Sequence, residues 1–200
     1  MTNGVVYVTY GLKAKQEAME SIKSLKQHNN LPATIIHEGY FDEDQFMTDA
    51  QKSRWAKVNL PRLVEYDRVL YLDADTRIHS DLSAGFEILD AWDMAIAPSK
   101  NQDGALFAHI PDQAEKAATL EEIGNPWPLQ LQAGVIFFER QRCAKFFELW
   151  REEYRRYGDQ DQAAMLRALH REPIRVWLLG KPWNSDKGEM VTHLFGRCRQ

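Results

Sequence analysis

Short apolar runs alternate with amphipathic segments along the first part of the chain. Residues 5–9 are β-branched and aromatic, which favours a buried strand, and Gly11 ends the run. Between residues 14 and 28, apolar side chains recur every three or four positions among lysines and glutamates, which is typical of an amphipathic helix. Residues 33–37 again favour a strand. This order predicts a strand, a helix and a second strand.

The alternation continues towards the end of the chain. Residues 52–65 have a helical pattern with a bend expected near Pro61, and the uniformly apolar run at residues 69–72 predicts a strand buried on both faces. The remaining predicted elements are a helix at 82–91, a strand at 94–97, a helix at 112–123, a strand at 134–138, helices at 142–157 and 160–170, and a last strand at 174–179. Strands that alternate with helices predict an α/β domain with a largely parallel sheet. Ligands collect at the carboxyl ends of such strands, so the residues after position 72 are the first candidates for a site.

The composition is that of a soluble globular domain. The 200 residues are 44% hydrophobic and 27% charged, enough for one hydrophobic core, and we expect a single domain over residues 1–200. The net charge of −4 gives no electrostatic reason to expect nucleic acid or an anionic membrane as the main partner. Arg151, Arg155 and Arg156 lie among glutamates on a predicted helix, and we interpret them as a solvated face.

The cysteines and the start of the chain bear on the compartment. Cys143 and Cys198 fit neither a disulfide framework nor a zinc-binding spacing, which favours a reducing, cytoplasmic setting. Residues 1–11 lack the basic region and long apolar run of a signal peptide, and no apolar run reaches the roughly 18 residues of a membrane span. We therefore expect no integral membrane segment.

The polar residues after the predicted strand at 69–72 carry the clearest chemistry. Asp73 and Asp75 are separated by one small residue, so both carboxylates can reach a single hard cation. Aspartates are also common in turns that end strands. With Thr76, the stretch matches the D-x-D-x-T pattern of haloacid dehalogenase-type phosphatases, in which the first aspartate attacks phosphorus and the second acts as a general acid. The stretch alone leaves a metal site, a phosphatase site and a plain turn open.

Six stretches together resemble one family of enzymes. They are SIKSLKQHNN (21–30), YDRVLYLDADTRIHSDL (66–82), LQAGVIFF (131–138), GDQDQAAM (158–165), LLGKPWN (178–184) and HLFGRCR (193–199). In this order they resemble the motifs of retaining glycosyltransferases of the GT-A fold, family 8, the group of glycogenin and the bacterial lipopolysaccharide galactosyltransferases. The resemblance extends from residue 5 to residue 199 and implies a Rossmann-like three-layer sandwich with a mostly parallel central sheet.

The resemblance implies a role for residues 193–199, which we call the tail of the chain. Asp73, Asp75 and His193 would hold Mn²⁺ or Mg²⁺, which would neutralise a diphosphate leaving group. Gly196 would let the backbone approach the diphosphate, and Arg199, in the position of the family's lysine, would add charge-assisted contacts.

The same resemblance implies further contacts to the sugar donor. The candidate donor-binding residues are Thr9, Tyr10, Gly11, Arg54, Lys57, Asp73, Ala74, Asp75, Ala133, Gly134, Asn184, Gly196 and Arg199, and the candidate catalytic residues are Asp159, Gln160 and Lys57. Arg54 is the alternative to Lys57 as the basic residue beside the donor. Asp159 and Gln160 would contact sugar hydroxyls, and Asp161 is a further candidate for such a contact. For Asp159 and Asp161 the alternative role is the cap of the following helix. Gln132 stands where the family usually has asparagine.

These assignments imply a metal-dependent glycosyltransferase that moves a sugar from a nucleoside diphosphate sugar, most simply a UDP-sugar, with retention of configuration. The acceptor is left open among a glycan, a lipid-linked sugar and a small molecule.

Three other functions share parts of this pattern of residues. In a haloacid dehalogenase-type phosphatase the aspartate motif follows the first strand, whereas here a strand, a helix and a strand precede it. A sugar-1-phosphate nucleotidyltransferase would have a glycine-rich basic loop after the first strand, where residues 9–13 contain only Gly11. Gln132 departs from the family's usual asparagine. The third alternative is therefore a catalytically weak relative that binds nucleotide-sugars.

Overall fold

A computed structural model describes residues 1–40, 47–99, 112–125, 128–158 and 160–199, with the side chain of Arg199 left out. The strands are β1 Asn3–Val8, β2 Ala33–Ile36, β3 Arg68–Leu72, β4 Thr76–Ile78, β5 Met94–Pro98, β6 Leu131–Glu139, β7 Val176–Leu178 and β8 Val191–His193. The helices are α1 Leu12–His28, α2 Asp49–Val58, α3 Leu60–Leu63, α4 Ser83–Glu87, α5 Gln113–Ile123, α6 Ala144–Tyr157 and α7 Asp161–Arg171, with 3₁₀ turns at Ile88–Asp90, Lys181–Trp183 and Arg197–Arg199.

Six of these strands form the central sheet, in the order β2-β1-β3-β6-β5-β7. β6 runs antiparallel to both of its neighbours, β3 and β5, and the other strands all run in one direction. The prediction of a mostly parallel sheet in an α/β fold is therefore confirmed. The reversed strand β6 places Gly134 beside the carboxyl end of β3, where its carbonyl accepts a hydrogen bond from the backbone N–H of Asp73 at 2.8 Å.

The sheet is the middle of three layers. Alternate side chains of a strand point to opposite faces. On one face Val6 and Tyr71 pack with α2, α6 and α7, and on the other Tyr7 and Leu70 pack with α1 and α4. Full burial of an apolar side chain stabilises a fold by about 1.5–3 kcal/mol, so these two faces anchor the strand ends that carry the polar residues.

A second, two-stranded sheet was not predicted from the sequence. β4 and β8 pair antiparallel, with Thr76 opposite His193 and Ile78 opposite Val191. The strand predicted at 174–179 is present as β7, but it is not the last strand, because β8 follows it. β4 and β8 have only three residues each, too few to produce a periodic signal in the sequence. Their pairing brings the tail of the chain to the end of β3.

The helical segment predicted at residues 52–65 is two helices. α2 begins after Thr48, which forms a capping box with Gln51. It ends at Asn59, whose side-chain amide donates to the carbonyl of Trp55 at 2.8 Å. The break therefore precedes Pro61, which lies in the first turn of α3, where proline is tolerated.

The other helices are close to the predicted ones. The helix expected at 112–123 is confirmed by α5, which Asp112 caps through the backbone N–H groups of Ala114 and Glu115. The solvated face predicted for α6 holds for Arg155 and Arg156, which are exposed, but Arg151 is half-buried.

Candidate active site

Two carboxylates and an imidazole converge where β3 ends. His193 Nε2 lies 3.2 Å from Asp75 Oδ1 and 3.6 Å from Asp73 Oδ2. One donor atom of each side chain lies within 4.8 Å of the others, and Asp75 and His193 are buried. Ligand atoms about 2.1 Å from one Mg²⁺ ion lie up to about 4.2 Å apart, and both distances from His193 Nε2 fall within this span. Two carboxylates and one imidazole are also ligand types that divalent cations accept.

A chain of hydrogen bonds orients the imidazole. The backbone N–H of Gly134 donates to Gln132 Oε1 at 2.8 Å, and the amide of Asn184 donates to the same oxygen. Because the amide nitrogen of Asn184 faces Gln132, its Oδ1 faces His193 Nδ1, 2.9 Å away. An amide oxygen only accepts, so Nδ1 carries a proton and donates it. Nε2 is then the nitrogen that faces the two aspartates: it donates to Asp75 when it carries a proton, and it offers its lone pair to a metal ion when it does not.

The backbone of β6 leaves room for this cluster. A Cβ atom at Gly134 would lie 2.3 Å from His193 Cε1 and 2.8 Å from Asp73 Oδ2. Any side chain at this position would displace the imidazole or the carboxylate. The neighbouring Ala133 packs into the core with its methyl group, so only its backbone can contribute to the site. The donor-binding role expected for Ala133 and Gly134 stays a prediction.

The tail of the chain stabilises the charge on Asp75. Burial raises the pKa of this carboxyl, but its hydrogen bond and charge interaction with His193 outweigh burial and hold the pKa below its ordinary value of 3.8. The backbone N–H of Arg197 also donates to Asp75 Oδ2 at 3.1 Å. Asp75 therefore stays ionised, as a metal ligand must.

Lys57 is buried rather than solvated, with 7% of its surface exposed. Its Nζ lies 2.9 Å from Asp161 Oδ2 and 3.4 Å from Asp73 Oδ1. Burial lowers the pKa of Lys57, but the two carboxylates outweigh it and raise the pKa, so the amine stays charged. The hydroxyl of Tyr71 donates to Asp73 Oδ1 at 2.6 Å, and burial, followed by the charge of Asp73, raises the pKa of this phenol.

Asp161 is in contact with Lys57 and does not cap α7. The helix cap is Gln160, which makes no side-chain capping bond. Burial raises the pKa of Asp161, but the charges of Lys57 and Arg54 hold it below its ordinary value. The structure therefore brings Lys57 and Asp161, the first residue of α7, together beside Asp73, and the charge of Arg54 acts on Asp161. Asp159 lies outside the described residues.

Thr9, Tyr10 and Gly11 follow β1 at the same edge of the sheet as Asp73. β1 is parallel to β3, with Tyr7 opposite Leu72. Thr9 and Tyr10 are buried, and Gly11 adopts a φ of 82°, a conformation that favours glycine. The backbone N–H of Gly11 donates to Glu38 Oε1 at 3.1 Å.

The tail after β8 crosses the end of β3. Gly196 has a φ of 82° and open space around its α-carbon, and Phe195 stacks on the imidazole of His193 with ring centroids 4.0 Å apart. Arg197 Nε lies 3.0 Å from Glu17 Oε1 of α1, which anchors the tail. Arg199 lies in the last 3₁₀ turn, with only its backbone described. Ala74 is buried in the core between the two aspartates.

Several polar partners in this site were not predicted from the sequence. Tyr71 looks like a core residue, and Glu17 like an exposed residue of an amphipathic helix. The hydrogen bonds that link Gln132 through Asn184 to His193, which we call the relay, depend on the reversed direction of β6. The pattern of apolar residues in the sequence does not reveal that direction. Gln132 and Asn184 both lie in motifs that carry the family resemblance. This resemblance is the one feature of the sequence that could have identified them as site residues.

A profile of Glycosyl transferase family 8 matches residues 7–185, most of the chain. The chain belongs to glycosyltransferase family 8. The match includes Asp73, Asp75 and Asn184 and ends before His193. A search of curated proteins found no match.

Solved glycosyltransferases share the fold of this family 8 chain. The bifunctional glycosyltransferase WbbM, in its apo form, superposes with a TM-score of 0.71 at 16% identity, covering 98% of this chain and 46% of WbbM. GlyE of Streptococcus pneumoniae TIGR4, also in its apo form, gives 0.62 at 17% identity, covering 92% of this chain and 46% of GlyE. The galactosyltransferase LgtC, in complex with donor and acceptor sugar analogs, gives 0.58 at 14% identity, covering 98% of this chain and 87% of LgtC.

This family 8 glycosyltransferase therefore has the GT-A fold, as the sequence predicted. It spans about half the length of WbbM and GlyE and most of the length of LgtC. The family match does not favour the phosphatase alternative. Among the described residues, no helix combines the length and the apolar character needed to cross a membrane.

Proposed function

We propose that this glycosyltransferase transfers a sugar from a UDP-sugar to an acceptor hydroxyl, with Mn²⁺ or Mg²⁺ held by Asp73, Asp75 and His193. The proposal rests on the convergence of these three side chains at the carboxyl end of β3. LgtC, solved with donor and acceptor sugar analogs, supports a sugar donor and a sugar acceptor. We also propose that residues 1–200 act as one domain.

The donor diphosphate would lie between the metal cluster and the tail. Asp73, Asp75 and His193 would hold the cation, which would neutralise negative charge on the departing diphosphate. Gly196, with open space around its α-carbon, would allow the backbone to approach the phosphates. The charge of Arg199 would add to their binding.

The nucleoside and the sugar would lie on either side of the diphosphate. Thr9, Tyr10 and Gly11 end β1 beside the cluster, and their backbone would bind the base and ribose. Ala133 and Gly134 would support the sugar, because β6 passes directly against Asp73 and His193. Asn184 acts through His193 and so positions the metal ligand.

The charged groups around α7 would hold the sugar for reaction. Lys57 keeps Asp73 and Asp161 in place and contributes a buried positive charge beside the donor. Asp159 and Gln160 would contact the sugar hydroxyls. Gln160 has an amide side chain, which is a poor nucleophile, so its role would be to position the anomeric carbon.

Retention would follow from attack on the face that the diphosphate leaves. The anomeric carbon–oxygen bond to the diphosphate breaks, the acceptor oxygen bonds to that carbon on the same face, and the hydroxyl proton passes to the leaving diphosphate. This scheme assigns no covalent sugar intermediate to any side chain.

A panel of nucleotide-sugars tests the proposal. The protein is incubated with UDP-, GDP-, ADP- and CMP-sugars in Mn²⁺ or in EDTA, and release of the nucleotide is measured. We expect slow, metal-dependent hydrolysis of one UDP-sugar, with NMR detection of the released sugar first as the anomer of the donor. Hydrolysis that is equal in EDTA would exclude the metal role, and release of phosphate from simple phosphomonoesters would favour the phosphatase. Metal-dependent UDP binding without turnover would indicate the catalytically weak relative.

A further inference from the structure

A cavity lies at the opposite end of the sheet from the metal cluster. It has a volume of about 520 Å³ and is formed by α3, the end of α2, the residues after β6 and the first half of α6. β3 and β6 are antiparallel, with Arg68 opposite Glu139 at one end and Asp73 bonded to Gly134 at the other. Arg140 is six residues beyond Gly134, so at about 3.3 Å per residue it is about 20 Å from Asp73 along the strands. We call this cavity the basic pocket.

Cationic side chains dominate the lining of the basic pocket. Arg62, Arg140, Lys145 and Arg151 contribute positive charges, and Glu148 is the single acidic residue among the described lining residues. Lys145 Nζ lies 2.9 Å from Glu148 Oε2, so these two charges compensate each other. Arg62, Arg140 and Arg151 therefore give the lining an excess of positive charge. The chain as a whole has a net charge of −4.

The described part of the structure gives these arginines no salt bridge, although the charges of Glu148 and Glu152 partly offset that of Arg151. Within the described part of the chain, Arg62, Arg140 and Arg151 form no ion pair with an acidic side chain. The Nε of Arg140 is buried and has no hydrogen-bond acceptor there. Burial lowers the pKa of Arg151, and the positive charges of Arg62 and Arg155 lower it further. A bound anion would supply an acceptor for the buried N–H and would relieve the repulsion.

The remaining walls suit a ligand that is only partly charged. Val58, Pro61 and Phe147 contribute apolar surface. Ala144 begins α6, so the positive end of this helix dipole also lies at the pocket. Pockets of roughly 300–1,000 Å³ accommodate small-molecule ligands, so the volume admits more than a bare ion.

We propose that the basic pocket binds a phosphate group, carried either by a phosphorylated small molecule or by the headgroup of an anionic lipid. Guanidinium groups offer paired N–H donors that match two phosphate oxygens. Arg62, Arg140 and Arg151 reach the pocket from α3, from the loop after β6 and from α6. The pocket lies at the other end of the sheet from the donor site, so the proposal is independent of the proposed function.

Calorimetric titration with inorganic phosphate tests the proposal. The full chain is titrated in EDTA, so that the metal cluster does not contribute. We expect saturable binding that weakens at least about tenfold in Arg140→Gln and in Arg151→Gln, because each removes a charge-assisted hydrogen bond. Arg62→Gln alters an exposed residue and tests the same pocket if the half-buried variants fail to fold. Lys23→Gln removes an exposed charge from α1 and should bind phosphate as the unaltered protein does.

Vesicles identify the source of the phosphate group. Sedimentation with phosphatidylcholine vesicles, with and without phosphatidylglycerol, measures binding to an anionic surface. Phosphate binding together with loss of phosphatidylglycerol binding in the arginine variants assigns a lipid headgroup, and phosphate binding without vesicle binding assigns a soluble ligand. Failure to bind inorganic phosphate, or equal binding by the arginine variants and Lys23→Gln, overturns the proposal.

Discussion

His193 Nδ1 donates a hydrogen bond to Asn184 Oδ1 at 2.9 Å, and this contact sets the direction of the imidazole. Nε2 then points at the two carboxylates, 3.2 Å from Asp75 and 3.6 Å from Asp73. The backbone N–H of Gly134 fixes this arrangement through Gln132, because a backbone donor cannot be exchanged for an acceptor. A strand of the central sheet therefore determines which nitrogen of a tail residue can bind a cation.

Asn184→Ala should weaken Mn²⁺ binding without removing any proposed ligand. Loss of the partner of a metal-binding histidine typically costs about 10–100-fold in metal affinity, because the ring is then free to rotate and change tautomer. Calorimetric titration of Mn²⁺ in the absence of nucleotide measures this. Asn30→Ala, at an exposed position, is the matched control and should bind Mn²⁺ as the unaltered protein does. Equal affinity in the two variants would remove Asn184 from the site.

Gly134→Ala should impair Mn²⁺ binding through steric conflict alone. The added methyl group would lie 2.3 Å from His193 Cε1, so either the ring or β6 has to shift. We expect a loss of at least about tenfold in Mn²⁺ affinity, comparable to the loss of an orienting partner. Gly180→Ala is the control, because its Cβ would meet Pro182 at an ordinary 3.5 Å. Unchanged affinity in Gly134→Ala would indicate that the cluster does not need the space that glycine leaves.

The pair of Lys57 and Asp161 should be strongly coupled. Lys57→Met leaves a buried carboxylate without its partner, and we expect a loss of about 3–5 kcal/mol in the free energy of unfolding, with a similar loss for Asp161→Leu. The double variant should lose much less than the sum, because the buried Asp161 carboxylate is removed together with the lysine, and Asp73, which also loses Lys57, is more exposed to water. Urea unfolding of the four proteins measures the coupling, with Lys23→Met as an exposed control. Additive losses would mean that the two groups do not stabilise each other.

Glu17→Gln should loosen the tail that carries His193. Glu17 contacts Arg197 at 3.0 Å and Arg77 at 2.5 Å, so it joins α1 to the 3₁₀ turn and to β4. We expect faster amide hydrogen exchange at residues 191–199, together with weaker binding of UDP and Mn²⁺. Glu20→Gln, on the exposed face of the same helix, should alter neither. Unchanged exchange in the tail would show that Glu17 is not its anchor.

The sequence predicts the parts of this molecule that depend on local pattern. The buried run at 69–72 and the amphipathic pattern of α6 are local features, and the structure confirms both elements. Asp73 and Asp75 could be proposed as ligands because they follow such a strand. The alternatives for Asp161 could not be resolved, because its partner Lys57 lies on another helix.

Contacts between distant segments were beyond prediction from local pattern. β4 and β8 have three residues each and exist only because the tail returns to the end of β3. The relay from Gln132 to His193 needs the reversed direction of β6, and the anchoring of the tail by Glu17 needs the same return. In each case the determining fact is the pairing of segments that are far apart in the chain.

Calorimetric titration of UDP in the presence of Mn²⁺ tests the central claim most directly. It is performed on the unaltered protein, on Asp75→Ala and on His193→Ala, each also in EDTA. The account predicts that UDP binds the unaltered protein tightly only with Mn²⁺, and that both substitutions abolish this metal-dependent binding while the far-ultraviolet circular dichroism stays unchanged. Unaltered affinity for UDP and Mn²⁺ in both folded variants would contradict it.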